Sequence, residues 1–122
     1  MLMQLDFSSD VPIYRQIHDR FVLGVAGGEL MPGDRLPTVR ALANETGVNV
    51  MTINKAYQVL KHEGYITADR RGGTVVAGRT VAVPCEKTLS GLRLPAAAAK
   101  ISGMTRDEWL ELCALAFDCP NQ

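Results

Sequence analysis

Met51, Asn54, Lys55, Gln58 and Lys61 fall on one side of a segment whose other side is apolar, and no acidic residue stands between Gly47 and His62. Ile53, Ala56, Tyr57 and Leu60 recur at i, i+3, i+4 and i+7, the spacing of an amphipathic helix that buries one face. The polar residues must then point outward. Their chemistry suits an anionic, edge-reading task. Carboxamides donate and accept side by side as nucleobase edges do, ammonium groups meet phosphate or guanine, and a thioether offers apolar contact to a thymine methyl. The same residue types also suit a merely solvated helix face, so the neighbouring elements decide between the two readings.

Those elements can be placed from local signals. A first helix is predicted after Ser8-Ser9-Asp10-Val11-Pro12, with Asp10 as its cap, Pro12 in its first turn and Gly27-Gly28 at its end. Its buried stripe is Ile13, Tyr14, Ile17, Phe21 and Val25. Pro32-Gly33-Asp34 reads as a turn that redirects the chain. A second helix follows, capped by Thr38 and directing Val39, Leu42 and Ala43 inward, until Gly47 stops it. Asn49 caps the third helix and Gly64 ends it. The connection between these helices has the short length of a helix-turn-helix. Tyr65 to Ala68 and Thr74 to Ala77, separated by Asp69-Arg70-Arg71-Gly72-Gly73, read as a β-hairpin.

Three helices and a hairpin make a winged helix-turn-helix. In that arrangement the third helix enters the major groove of double-stranded DNA and the hairpin tip reaches to the backbone or minor groove. Arg70 and Arg71 at such a tip would meet phosphate. Net charge is zero, with 13 basic and 13 acidic residues, so the charge distribution carries the signal. Residues 47–79 hold Lys55, Lys61, Arg70, Arg71 and Arg79 against only Glu63 and Asp69.

Other classes fit poorly. Cys85, Cys113 and Cys119 are odd in number and lack CxxC or His-flanked spacing, which argues against a disulfide framework and a zinc site and for a reducing compartment. The amino terminus lacks the basic-then-apolar pattern of a secretory signal, and no stretch approaches a membrane span. A cytoplasmic protein with no membrane partner is the expectation. His18 and His62 stand in different helices without a carboxylate at a catalytic spacing and are read as surface residues. With no nucleophile constellation and little room for a cleft, neither an enzyme nor a cofactor is expected.

Composition changes after Gly78. Arg79 to Pro84 reads as a linker, and Pro95 is predicted to open a short helix through Ala96 to Ile101, ended by Gly103. Thr105-Arg106-Asp107-Glu108 is a capping box. Trp109, Leu110, Leu112, Cys113, Leu115, Ala116 and Phe117 make the helix behind it too apolar to stand alone. A division follows into residues 1–78, a DNA-binding head, and residues 79–122, a linker with a short helical dimerisation region using Ile101, Trp109, Leu110, Leu112, Leu115 and Phe117. The fold class is mainly α with a small β-hairpin, a winged helix-turn-helix plus a two-helix extension.

The run VPIYRQI, followed by GELMPGDRLPTVRALANETGVNVMTINKAYQVLKHEGYITADRRGGTVV, resembles the amino-terminal domain of the GntR family of bacterial transcription regulators. The likeness covers residues 11–77, with PIYRQI, PGDRLP, R-x-LA, GV-x-x-x-T, AY-x-x-L and EGYI in the family's order. The short tail resembles the YtrA-type subfamily, whose members carry a small dimerisation region. The resemblance implies a phosphate contact at Arg40, backbone contacts at Asn49 and Thr52, and a wing contact from Gly72 or Gly73 with Arg70 and Arg71. Val50 and Asn54 stand where family members often carry Arg, which shifts base reading toward Asn54, Lys55 and Gln58. The resemblance further implies a homodimeric repressor on an inverted-repeat operator of its own operon, often with transporter genes, and admits an unidentified small-molecule effector. The alternative reading is a protein-interaction module that uses the apolar carboxy-terminal helix.

Overall fold

The computed structural model describes residues 4–78 and 85–120. The expected linker, Arg79 to Pro84, lies outside them. The chain divides into two compact units, Met1–Val81 and Ala82–Gln122.

In the first unit, α1 spans Ile13–Ala26, α2 Val39–Thr46 and α3 Val50–Glu63, followed by strands β1 (Ile66–Ala68) and β2 (Thr74–Val76). Asp10 does not cap α1. Pro12 occupies the N-cap position itself, with no side-chain cap, because its fixed φ of −56° already sets the helical entry and its carbonyl accepts from the Arg15 and Gln16 amides. The preceding segment is tied down by Gln16, whose side chain accepts from the Asp6 amide at 2.8 Å and donates to the Asp6 and Val11 carbonyls.

The caps of α2 and α3 follow the local chemistry. Thr38 Oγ1 accepts from the Ala41 amide at 3.0 Å, and Asn49 Oδ1 from the Met51 amide at 2.7 Å. Each such cap contributes about 1 kcal/mol. Gly47 and Gly64 end the two helices at φ 75° and 89°, where a Cβ would be strained. Ile17, Phe21, Leu42, Ile53 and Leu60 are fully buried, and Ala56, Tyr57, Ile66 and Val76 join the same cluster, so the hairpin is clamped to the three helices. Truncating a side chain such as Phe21 to Ala should cost about 3–5 kcal/mol.

β1 and β2 pair antiparallel with Ile66 opposite Val76 and Ala68 opposite Thr74. The segment read as a turn does more than redirect the chain. Residues 33–36 run along the free edge of β2: Gly33 donates to the Val76 carbonyl, Val76 to that of Asp34 and Leu36 to that of Thr74, each at 2.9 Å, with Arg35 bridged to Val75.

The second unit holds α4 (Cys85–Ile101) and α5 (Arg106–Asp118). Pro95 does not open a helix; it lies inside α4. An interior Pro removes one amide bond and costs about 3 kcal/mol relative to Ala. Here Glu86, Lys87, Leu89, Leu92 and Arg93 before it and four alanines after it favour helix strongly enough to continue through. Thr105 and Glu108 form both bonds of the capping box at the start of α5. These bonds hold the Glu108 carboxyl below the usual carboxylate range. No residue of α4 or α5 is buried. Among the described residues no helix is long and apolar enough to cross a membrane.

Candidate nucleic-acid interface

α3 presents the surface its periodicity implies. Ile53, Ala56, Tyr57 and Leu60 face the core, while Met51, Asn54, Lys55, Gln58 and Lys61 are exposed, Met51 at 80 %. Thr52 is half-buried in the first turn. The Asn49 oxygen is occupied by its cap bond, so its amide NH2 is what remains for a partner. The first turn of α3 carries no acidic side chain, which leaves the positive end of the helix dipole favourable to an anion.

Tyr57 holds the two helices of the motif in register. Its hydroxyl donates to the Pro37 carbonyl at 2.7 Å, just ahead of α2, and burial pushes its phenol up to about 12. Tyr14, expected only as core, is also a platform: the Lys55 ammonium sits 4.1 Å from its ring centroid and the Arg15 guanidinium 5.5 Å. Lys55 is thereby held on the side of α3 that faces α1.

Arg40 is exposed on α2, and its guanidinium makes no ion pair or hydrogen bond among the described residues; neither Glu45 nor Asp34 engages it. The Asp34 carboxylate instead accepts from the Met31 amide. At the hairpin tip Arg70 and Arg71 are exposed, and Gly72 and Gly73 take φ 94° and 80°. The acidic residue beside them, Asp69, is paired with Arg35. Sequence reasoning missed that pair, because nothing local connects positions 34 residues apart.

His18 is the clear correction. It is buried rather than on the surface, with Nδ1 2.8 Å from Asp19 Oδ1 and Nε2 against Glu63 Oε1. Tyr65 lies edge-on to its ring, and an Arg15 nitrogen approaches Nδ1 at 3.4 Å. The available signal was its place four residues after Tyr14 and three before Phe21, on the buried stripe. Among the described residues His18 meets only Arg15, Asp19 and Glu63 through its ring nitrogens, and the last of these contacts ties α1 to the end of α3. His62 is exposed.

In the second unit Ile101 and Phe117 are each 87 % exposed; Leu110, Leu112 and Leu115 are exposed as well, and Trp109 is half-buried. α4 adds exposed Leu89, Leu92 and Leu94, from a stretch with no local start or stop signal of its own. Two helices with this much apolar surface and no interior of their own are suited to association.

The profile described as bacterial regulatory proteins, gntR family, matches residues 13–76. The HTH-type transcriptional repressor YtrA of Bacillus subtilis is 40% identical over 76 residues, 62% of this chain and 58% of that protein. Among solved structures, YtrA from Sulfolobus acidocaldarius, a GntR-family transcription factor, aligns with a TM-score of 0.59 at 38% identity, covering 98% of this chain and 99% of that one. The DNA-binding domain of AraR in complex with operator ORE1 aligns with a TM-score of 0.52 at 28% identity, covering 63% of this chain and 94% of that one.

Proposed function

Because the chain belongs to the bacterial gntR family of DNA-binding transcription regulators, in its YtrA-type branch, we propose that it acts as a homodimeric repressor on an inverted-repeat operator. The observation that carries the reading is the outward face of α3. A capped helix start, Asn54, Lys55 and Gln58 exposed without a neighbouring acid, and a wing ending in Arg70 and Arg71 occur in one compact unit with a shared core.

In this reading Asn54 and Gln58 meet base edges, Met51 meets a thymine methyl, and Lys55 meets phosphate or guanine. Arg40, with Asn49 and Thr52, holds the backbone on one side. Arg70, Arg71, Gly72 and Gly73 hold it on the other. Residues 1–78 act as the DNA-binding head and residues 79–122 as linker and dimerisation region, with Ile101, Trp109, Leu110, Leu112, Leu115 and Phe117 packing against a second copy. Two copies joined in this way would set their recognition helices roughly 34 Å apart, one turn of DNA. The name of the Bacillus subtilis relative supports repression. Control of its own operon, transporter genes in that operon, a small-molecule effector and a cytoplasmic location belong to the same proposal.

Selection of bound duplexes from a random pool tests it. Enrichment of an inverted repeat with half-sites one helical turn apart is expected; enrichment of unpaired motifs, or none, would count against dimeric recognition. A second reading rests on the exposed apolar residues of α4 and α5, which also suit a protein partner. A folded dimer that binds no DNA at low salt would favour that reading.

A further inference from the structure

Asp69 shares the hairpin tip with Arg70 and Arg71, and its carboxylate is taken up inside the protein. Arg35 sets Nη2 against Asp69 Oδ2 and donates from Nη1 to the Gly72 carbonyl at 2.8 Å. One planar guanidinium therefore grips both sides of the tip. The approach is close: a Cβ on Gly73 would lie 2.9 Å from Nη1, and Gly73 already requires positive φ. The backbone of Arg35 is itself fixed, bridged to Val75 and flanked by the Leu36-to-Thr74 and Val76-to-Asp34 hydrogen bonds. The grip thus comes from a segment laced to the base of the same hairpin.

Two physical consequences follow. The carboxylate nearest Arg70 and Arg71 is neutralised, which removes a repulsive charge from a surface meant for phosphate. The tip, with adjacent glycines at 72 and 73, is also held in one conformation, although such a pair would otherwise lose much backbone freedom on binding. The geometry points to Arg35 as the positioning residue of the wing: it holds Asp69 and Gly72 so that Arg70 and Arg71 meet the DNA backbone already arranged. This assignment rests on the reading of Arg70 and Arg71 as wing contacts.

Asp69→Ala separates positioning from charge. If charge alone mattered, deleting a carboxylate beside two arginines would tighten binding to a polyanion. Positioning requires the opposite. With the intact chain and a duplex it has selected from a random pool, Asp69→Ala and Arg35→Ala should each weaken binding roughly tenfold, a loss of preorganisation. Helical circular dichroism should stay unchanged while trypsin cuts faster after Arg70 or Arg71. In a chain already carrying Arg70→Ala and Arg71→Ala, Arg35→Ala should add only a small part of that loss, since it acts mainly through those residues and only the Gly72 and Gly73 contacts remain. Should Arg35→Ala fail to fold, Asp69→Ala alone still decides between the two signs. Tighter binding by Asp69→Ala, or a full additional loss from Arg35→Ala in the doubly substituted chain, overturns the assignment. A doubly substituted chain that binds as tightly as wild type overturns the wing-contact reading itself, and this proposal with it.

Discussion

His18, buried on α1, pairs with Glu63, the last residue of α3. The contact fastens the end of the proposed recognition helix to the first helix, while Asp19 engages the other ring nitrogen. Removing the imidazole leaves a half-buried carboxylate without its partner and a gap beside Tyr65. His18→Ala should therefore destabilise the chain by about 1–3 kcal/mol in urea unfolding. A change no larger than that of an ordinary surface substitution, roughly 0.5 kcal/mol, would show that the contact does not hold the helices together.

Tyr57 links the two helices of the motif through its bond to Pro37. Tyr57→Phe should cost about 1 kcal/mol, since the carbonyl loses its donor. Alkali provides a second test. Burial raises the folded phenol to about 12 from 10.0, so its contribution is fully present below pH 10 and declines as pH rises from there through about 12, where the unfolded chain ionises first. Tyr57→Phe should remove that part of the decline, and an identical alkaline stability profile in wild type and variant would contradict the account.

The Arg40 guanidinium has no ion-pair or hydrogen-bond partner among the described residues, which suits a phosphate contact. Arg40→Ala should lower affinity for every duplex by a similar factor and make the salt slope shallower by about one unit. If affinity and slope both stay at wild-type values, the contact is wrongly assigned.

The tail prediction concerns α4 and α5, whose residues are nowhere buried. A chain ended after Val83 should remain folded, because the core lies in the first unit, and should be monomeric by light scattering. Its affinity for a full inverted repeat should fall by roughly 100-fold or more, as the second half-site loses its effective concentration. A truncated chain that stays dimeric would assign the tail another task.

What was legible in the sequence was local. Thr38, Asn49, Gly47 and Gly64 bound their helices by chemistry acting within a turn, and the α3 stripe follows directly from its period. The pairs that brace the site were not legible. Arg35 meets Asp69 across 34 residues and His18 meets Glu63 across 45, and no spacing rule joins such positions. The third, strand-like segment at residues 33–36 was hidden by Pro32-Gly33-Asp34, whose turn chemistry is real but whose Gly33 and Asp34 also pair with the edge of β2. Pro95 misled for a related reason. Its intrinsic penalty is local, while the helix-forming preference of the surrounding residues of α4 is summed over the whole element.

The central claim is that the exposed side chains of α3 read DNA sequence, and paired selections from a random duplex pool test it most directly. One uses the wild-type chain and the other a chain with Asn54→Ala and Gln58→Ala, both exposed and outside the core. The account predicts that the variant enriches the same half-site spacing but loses preference at particular base pairs, each worth about 1–3 kcal/mol of discrimination. Enrichment of the same sequence by both chains, with every position retained, would contradict it.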